Sequence, residues 1–233
     1  MSWLKKLFGI KTSGGDPALI AAVSRHVEYW IGGFTIFHEI VSPTVHVDIF
    51  VVAPTEERPF FTLVTSGMAE LAMTPPPHVE GCTHAELLMF LPADWPVDSI
   101  RFDKRAVRPI RNLKELARYP HDLNTWLWLR HTVQLGDPVT PDQPFVGVMM
   151  YFPMLLDPDG GELKMEDGRE VTFLCVIYLR PEEIEFVREH SANDLVDLAE
   201  ESDRLDELLI FDPGRASFLP SLRSTLSLGS REC

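Results

Sequence analysis

Basic residues are scarce in this chain. Its 233 residues include 21 Lys and Arg against 35 Asp and Glu, for a formal net charge of -14. Nucleic-acid binding through a basic surface is therefore not expected, because phosphate contacts need clustered Lys and Arg. An acidic surface instead keeps a protein soluble and can steer a basic partner toward it.

Cysteine is rare as well, and Cys82, Cys175 and Cys233 lie far apart in the sequence. No two of them have the CxxC spacing, which excludes a zinc ribbon and a thioredoxin-like redox site. Cys175 lies in an apolar run, 173–179, and is expected to be a small core residue. Reduced cysteines fit a reducing compartment, so we expect a cytoplasmic protein.

Long apolar runs are also missing. Nothing approaches the roughly 18 continuous apolar residues of a membrane-spanning helix, so no integral membrane segment is expected. The segment 1–15 is too broken in hydrophobicity for a secretory signal, and we interpret it as a short N-terminal arm; weak membrane contact through it stays open. Residues 217–233 are predicted to be a loosely ordered tail, which leaves one domain over 16–216.

The hydrophobic content of 45% is enough for one sizeable core. Helical spacing of apolar residues predicts an amphipathic helix that starts at Asp16-Pro17 and ends at Gly32. Further elements are predicted as follows: strands at 45–53, 60–65, 145–156 and 171–179, a strand or short helix at 83–91, and two helical pieces over 112–130 broken at Pro120. The first two strands are expected to form a hairpin. Without a regular βαβ alternation, this order predicts an α+β domain with a mixed, largely antiparallel β-sheet flanked by helices.

Acidic residues concentrate in a helical region that begins at Pro181. Residues 182–207 hold eleven acids against Arg188 and Arg204, a balance of -9. Acid runs on helices are usually solvated faces, but this one tolerates like charges four residues apart and would suit a basic partner. The predicted partner-binding residues are Glu182, Glu185, Asp197, Glu201, Asp203 and Glu207.

The stretch "FTLVTSGMAE" (61–70) reads as a strand that stops at a hydroxyl pair. A nucleophile elbow needs GxSxG, and here no Gly stands two residues before Ser66. We therefore predict no catalytic serine. Gly67 is expected to adopt a conformation that other residues disfavour, while Thr65 or Ser66 bonds local backbone and Met68 packs.

Two strand-spaced pairs, His46 with Asp48 and His84 with Glu86, combine imidazole and carboxylate ligands. If they converged, they could hold a metal ion. Pairs of this kind are common in a chain rich in histidine and acids, and a hydrogen-bonded strand face is the favoured interpretation. No GxGxxG or Walker-type loop is present, so neither a metal nor another cofactor is expected.

Several motifs together, in order, resemble a Suppressor of fused-like domain over about residues 28–215. They are "HVDIFVVAP" (46–54), "FTLVTSGM" (61–68), "AELLMFLPADW" (85–95), "LARYP" (116–120), "PFVGVMMYFP" (144–153), "VTFLCVIYLRPEE" (171–183) and "LLIFDPGRASF" (208–218). The residues that we place in these family motifs are His46, Asp48, Thr65, Ser66, Gly67, Met68, Glu86, Pro92 and Trp95.

That resemblance implies a fold like the N-terminal domain of Suppressor of fused, without the second domain. The eukaryotic member is a non-enzymatic regulator of Hedgehog signalling that grips a peptide of its partner as an added β-strand. Short bacterial relatives are thought to act often as immunity proteins that neutralise toxins. The expected function is accordingly a non-enzymatic protein-binding module of the immunity type that occludes a protein partner. Two alternatives stay open: an enzyme that uses the His46/Asp48 and His84/Glu86 pairs, and an assembly role through a strand edge. The oligomeric state is not predicted.

Overall fold

The computed structural model describes residues 15–39, 44–99, 103–136 and 144–219. Its helices are α1 (Pro17–Trp30), α2 (Lys104–Asp122), α3 (Pro181–Glu189), α4 (Ala192–Glu201) and α5 (Leu205–Leu209). Its strands are β1 (Phe34–Phe37), β2 (Asp48–Val52), β3 (Phe60–Ser66), β4 (Ala85–Pro92), β5 (Thr132–Gln134), β6 (Gly147–Tyr151), β7 (Glu162–Lys164) and β8 (Glu170–Leu179). Most of the predicted N-terminal arm and C-terminal tail lies outside these residues.

One sheet unites the eight strands of the described residues, in the order β1-β2-β3-β4-β8-β6-β5, with β7 paired to the first part of β8. Only the β4–β8 pair is parallel among the described pairs. The predicted α+β class with a mixed, largely antiparallel sheet is therefore confirmed. So is the hairpin, in which Asp48 of β2 lies opposite Ser66 of β3.

Both faces of this sheet are buried. On β8, Phe173, Cys175 and Ile177 pack into one core with α1, α3, α4 and α5. The alternate residues Leu174 and Val176 pack into a second core against α2. Strands buried on two sides need continuous apolar runs, and the long run in β8 meets that need. Cys175 is fully buried, as predicted.

Helix α1 starts and ends where the sequence predicts. The Asp16 side chain accepts a hydrogen bond from the Ala18 amide at 2.9 Å, and Gly32 follows the last turn with φ +137°. Inside the helix, His26 stacks on Phe173 with ring centroids 4.7 Å apart. Burial lowers the pKa of His26, although its hydrogen bond to the Gly160 carbonyl opposes that shift.

The predicted break at Pro120 is wrong, because α2 is one helix that contains both Pro109 and Pro120. A proline inside a helix costs about 3 kcal/mol. Burial of the helix's apolar residues Ala106, Ile110, Leu113, Leu116 and Ala117 offsets that penalty. The predicted second helical piece is also absent: the helix ends at Asp122, and Asn124 adopts φ +49°.

Two other predicted bounds change. The apolar segment 145–156 forms a strand only over Gly147–Tyr151, because the chain then turns at Phe152-Pro153 and leaves the sheet. The undecided segment 83–91 is the strand Ala85–Pro92. The three short strands β1, β5 and β7 were not predicted.

Candidate functional site

A buried carboxylate holds the bend that follows β3. Glu86, on β4, is fully buried, and its Oε2 accepts a hydrogen bond from the Thr65 hydroxyl at 2.5 Å. Its Oε1 accepts from the Gly67 amide at 2.8 Å and the Ala69 amide at 3.1 Å, and the Met68 amide donates to Oε2 at 3.3 Å. Burial raises the pKa of Glu86, while these donors favour the charged form and oppose the rise.

Gly67 has the conformational role that the sequence predicts. Its φ is +134°, a value that L residues rarely adopt, and a Cβ built there would lie 1.8 Å from the His46 carbonyl oxygen. Met68, next in the chain, is fully buried in the core against α2, also as predicted. The bend is therefore a packed structural turn.

Ser66 contributes no visible chemistry to this turn. Its hydroxyl is buried and has no hydrogen-bond partner among the residues that the structure describes. Thr65 does bond backbone, but across the sheet and not locally as predicted: its Oγ accepts from the Leu87 amide on β4 at 2.7 Å. The family-motif residues Thr65, Ser66, Gly67, Met68 and Glu86 thus form one structural unit.

A second polar cluster joins the end of β1 to the start of β2. The Asp48 carboxylate accepts a hydrogen bond from the Glu39 amide at 2.8 Å and contacts His38 Nδ1 at 3.0 Å and His46 Nε2 at 3.1 Å. Glu39 in turn pairs with Lys114 Nζ at 3.8 Å and with Arg118, both on α2. The cluster therefore ties the hairpin to α2.

The structure does not combine the two predicted pairs into a metal site. Asp48 is directed to His38 and His46, while Glu86 is directed to the bend and His84 Nδ1 contacts the Thr83 hydroxyl at 3.0 Å. Within the described ranges, no group of three or more His, Cys, Asp or Glu is placed to hold a metal ion.

Pro92 and Trp95 close the end of β4. The Trp95 amide donates to the Pro92 carbonyl at 3.0 Å, and the indole Nε1 donates to the Ala106 carbonyl at 3.3 Å. The Trp95 ring also packs edge-on against Phe211, with centroids 5.3 Å apart. Trp95 therefore joins the end of β4 to α2 and to Phe211.

A buried ion pair, Glu183 with Arg215, corrects the acidic count made from the sequence. The two Arg215 Nη atoms each lie 2.6 Å from a Glu183 oxygen, and both side chains are almost completely buried. Glu183 also accepts the Arg180 amide at 2.9 Å, and Arg215 donates to the Tyr178 carbonyl at 2.9 Å. Glu183 is thus a structural anchor and does not belong to an exposed face.

The other acids of 182–207 lie at or near the surface. The exposed ones are Glu185, Glu189, Asp194, Asp197, Glu200, Glu201, Asp203, Asp206 and Glu207, which we call the acidic surface. Glu182 is half-buried. Arg188 is exposed among them, and Arg204 bonds Glu207 at 2.7 Å. Five of the six predicted partner-binding residues therefore belong to the acidic surface, and Glu182 borders it.

Comparison with known proteins gives a consistent assignment. A family model described as Suppressor of fused protein (SUFU) matches residues 43–216. The chain is similar in fold to a protein from Neisseria gonorrhoeae FA 1090 described as a SUFU homologue, with 20% identity and a TM-score of 0.61 over 87% of this chain and 98% of that chain. It is also similar to a chain of the Sufu-Fu complex, with 12% identity and a TM-score of 0.60 over 93% and 99%. A search of curated proteins gave no match.

In the part of the chain that the structure describes, no helix has both the length and the apolar character needed to cross a bilayer.

Proposed function

Because this chain belongs to the Suppressor of fused family, as its ordered motifs predicted, we propose that it is a non-enzymatic protein-binding module. We propose further that it binds a basic protein through the acidic surface and that binding occludes the partner, as an immunity-type protein occludes a toxin.

The observation that carries this proposal is the charge imbalance of the acidic surface. With Glu183 paired internally, ten carboxylates of 182–207 remain, and only Arg188 and Arg204 oppose them within that segment. Like charges held close together repel one another and cost stability. A binding role accounts for this cost, because a basic partner would relieve the repulsion and be steered toward the surface.

The polar motif residues are consistent with a non-enzymatic role, because they make their contacts inside the fold. Glu86 and Thr65 hold a bend, while Asp48 bonds His46 and is joined to α2 through Glu39. Their polar atoms are used within the fold, which assigns them to stability. The Sufu-Fu complex, as its name says, is an assembly of Sufu with Fu. We extend protein binding from that complex to this chain.

Charge neutralisation tests the binding surface. The acidic-surface variant carries Glu185→Gln, Asp197→Asn, Glu201→Gln and Asp203→Asn, four exposed positions. Asp203 has φ +55°, which Asn tolerates, so this variant should fold normally. The matched control neutralises four exposed acids elsewhere: Glu56→Gln, Glu57→Gln, Glu80→Gln and Asp94→Asn.

The assay is capture of partners from the native cells with purified wild type and both variants, followed by titration of the recovered partner. We expect the acidic-surface variant to bind at least tenfold more weakly and the control to bind normally. Wild-type affinity should fall as salt rises from 0.05 to 0.5 M, because salt screens exposed charges. Equal losses in both variants, or an affinity that does not change with salt, would contradict the proposed surface.

The immunity-type role has a separate test. A gene beside the one for this chain is expected to encode a product that stops growth when expressed alone. Co-expression of the wild-type chain should restore growth, and co-expression of the acidic-surface variant should not. Absence of rescue by the wild-type chain would reject the immunity role.

A further inference from the structure

An apolar groove opens beside the end of β6. It has a volume of about 650 Å³, and its apolar lining includes Trp128, Leu129, Phe152, Pro153, Met154 and Leu156. Phe152 and Met154 are 46% and 38% exposed, although both are large apolar side chains. Exposed apolar side chains that cluster in one groove, unlike those scattered singly, mark an interaction site.

The local backbone explains why these side chains are exposed. β6 ends at Tyr151, and the Met154 amide donates to the Phe152 carbonyl at 2.9 Å in the turn that follows. Pro153, between the two, is buried. The buried Pro153 therefore anchors the turn, and the residues before and after it, Phe152 and Met154, line the groove.

The charged residues in the described lining of the groove are acidic. Asp159 and Glu162 belong to its lining, and none of the described lining residues is cationic. An apolar groove with carboxylates at its edge favours an apolar side chain that has a cationic neighbour.

The strand that ends at the groove is bonded to α4, which carries part of the acidic surface. Tyr151, the last residue of β6, donates its hydroxyl to Asn193 of α4 at 3.0 Å, and Arg130 Nε donates to the same oxygen at 3.1 Å. Burial raises the pKa of Tyr151, and Asp197 and Glu200 of the acidic surface raise it further, while Arg130 opposes them. Tyr151 therefore connects the strand that leads into the groove to α4, the helix that carries Asp194 and Asp197 of the acidic surface.

We propose that this groove receives a bulky apolar side chain from a partner segment that carries Lys or Arg beside it. The inference rests on the proposed function and adds a second, apolar contact to the acidic surface. A second copy of this chain is a poor occupant, since each copy has a formal charge of -14. A basic peptide has the complementary charge.

The probe is a phage-displayed library of random 12-residue peptides, selected on the wild-type chain. Enriched peptides should place Lys or Arg within three positions of Phe, Trp, Leu or Met. A fluorescein-labelled consensus peptide should then bind Phe152→Ala/Met154→Ala at least tenfold more weakly by anisotropy. The control Leu71→Ala/Leu123→Ala removes two other exposed apolar side chains and should bind normally. All of these positions are exposed, so unchanged melting temperatures are expected.

Several results would overturn the groove. They are the absence of enrichment, enrichment of peptides without cationic residues, equal binding to the groove variant and its control, and wild-type self-association that the groove variant abolishes. The native partner separates the two proposals. Loss of that partner in the acidic-surface variant but not in the groove variant would reject the groove and leave the proposed function standing. Loss in neither variant would reject both.

Discussion

Gly67 offers a sharp test of how the bend after β3 is built. Alanine at this position adds only one methyl group. That group would lie 1.8 Å from the His46 carbonyl oxygen, whereas real Cβ contacts essentially never fall below 3.0 Å. Either the His46 backbone or the bend itself must therefore move.

Each of these movements has a cost. A residue other than Gly at a φ of +134° is strained by about 1–3 kcal/mol. If the bend moves, the Gly67 amide loses its 2.8 Å bond to Glu86, and a hydrogen bond to a charged group contributes about 1.5–3 kcal/mol. Together these effects predict that the free energy of unfolding falls by about 2.5–6 kcal/mol, a large part of the roughly 5–15 kcal/mol typical of a folded domain.

Two controls separate the causes. Gly81 also has a positive φ, +78°, but nothing lies within 4 Å of a Cβ built there. Gly81→Ala should therefore lose only the conformational part, about 1–2 kcal/mol. Ser66→Ala removes a buried hydroxyl without a partner among the described residues, so it should change stability by less than about 1 kcal/mol.

Urea unfolding followed by tryptophan fluorescence measures all three variants. The midpoint of Gly67→Ala should fall by at least about 1 M relative to wild type. Recovery of Gly67→Ala only in inclusion bodies, with soluble Gly81→Ala, would agree with this prediction. A Gly67→Ala protein as stable as Gly81→Ala would refute the steric argument. A Ser66→Ala protein that folds normally but fails to bind its partner would show that Ser66 has a functional role.

Three other predictions concern buried groups. Arg215→Met should lower the free energy of unfolding, measured in urea, by about 3–5 kcal/mol, because it leaves the Glu183 carboxylate buried and unpaired. The double variant Glu183→Leu/Arg215→Met should recover part of that loss. A double variant that is less stable than the single one would contradict this expectation. Because burial lowers the pKa of His26, its contribution to stability is complete above about pH 6.5 and is lost as the pH falls from there toward the lowered pKa. His26→Gln should therefore reduce the decrease in melting temperature between pH 7.5 and 5.5, and equal decreases in both proteins would count against the assignment. Burial raises the pKa of the Cys175 thiol, so iodoacetamide should label Cys175 in urea but not in the native protein. The half-buried Cys82 should react more readily in the native protein. Peptide mass mapping measures both reactions.

The elements that the sequence predicts correctly have local causes. Helix α1 has a side-chain cap at Asp16 and a glycine at its end, and both act within a few residues. The β2–β3 hairpin joins two neighbouring apolar strands through a connection that contains Pro54 and Pro59. The resemblance to Suppressor of fused is confirmed for a related reason, because it rests on many short motifs in a fixed order.

The elements that the sequence misses depend on distant partners. β5 and β7 have three residues each, and their pairing with β6 and β8 defines them as strands. Helix α2 continues through Pro120 because tertiary packing outweighs a local penalty. The spacing of apolar residues along the sequence reveals neither this strand pairing nor this helix packing.

The buried carboxylates show the same limit. Glu183 looks like one acid among eleven until its partner, 32 positions away at Arg215, is brought beside it. Glu86 looks like one half of a strand-face pair with His84 until the three amides of the bend are directed at it. The exposed acids are recognised from the sequence because solvent exposure requires no partner.

The single parallel pair among the described strands has a consequence for the chain during its synthesis. β1 to β4 are neighbours both in the sequence and in the sheet. The other edge of β4 can pair only after β8 has been synthesised, because Ala85 pairs with Thr172, 87 positions later. At about 5–20 residues per second, translation takes roughly 4–17 s to cover that interval. Throughout it, the nascent chain carries an apolar strand with one edge unpaired. Edge-to-edge association is the main hazard of such a strand. Aggregation of this protein should therefore increase when translation between β4 and β8 is slowed.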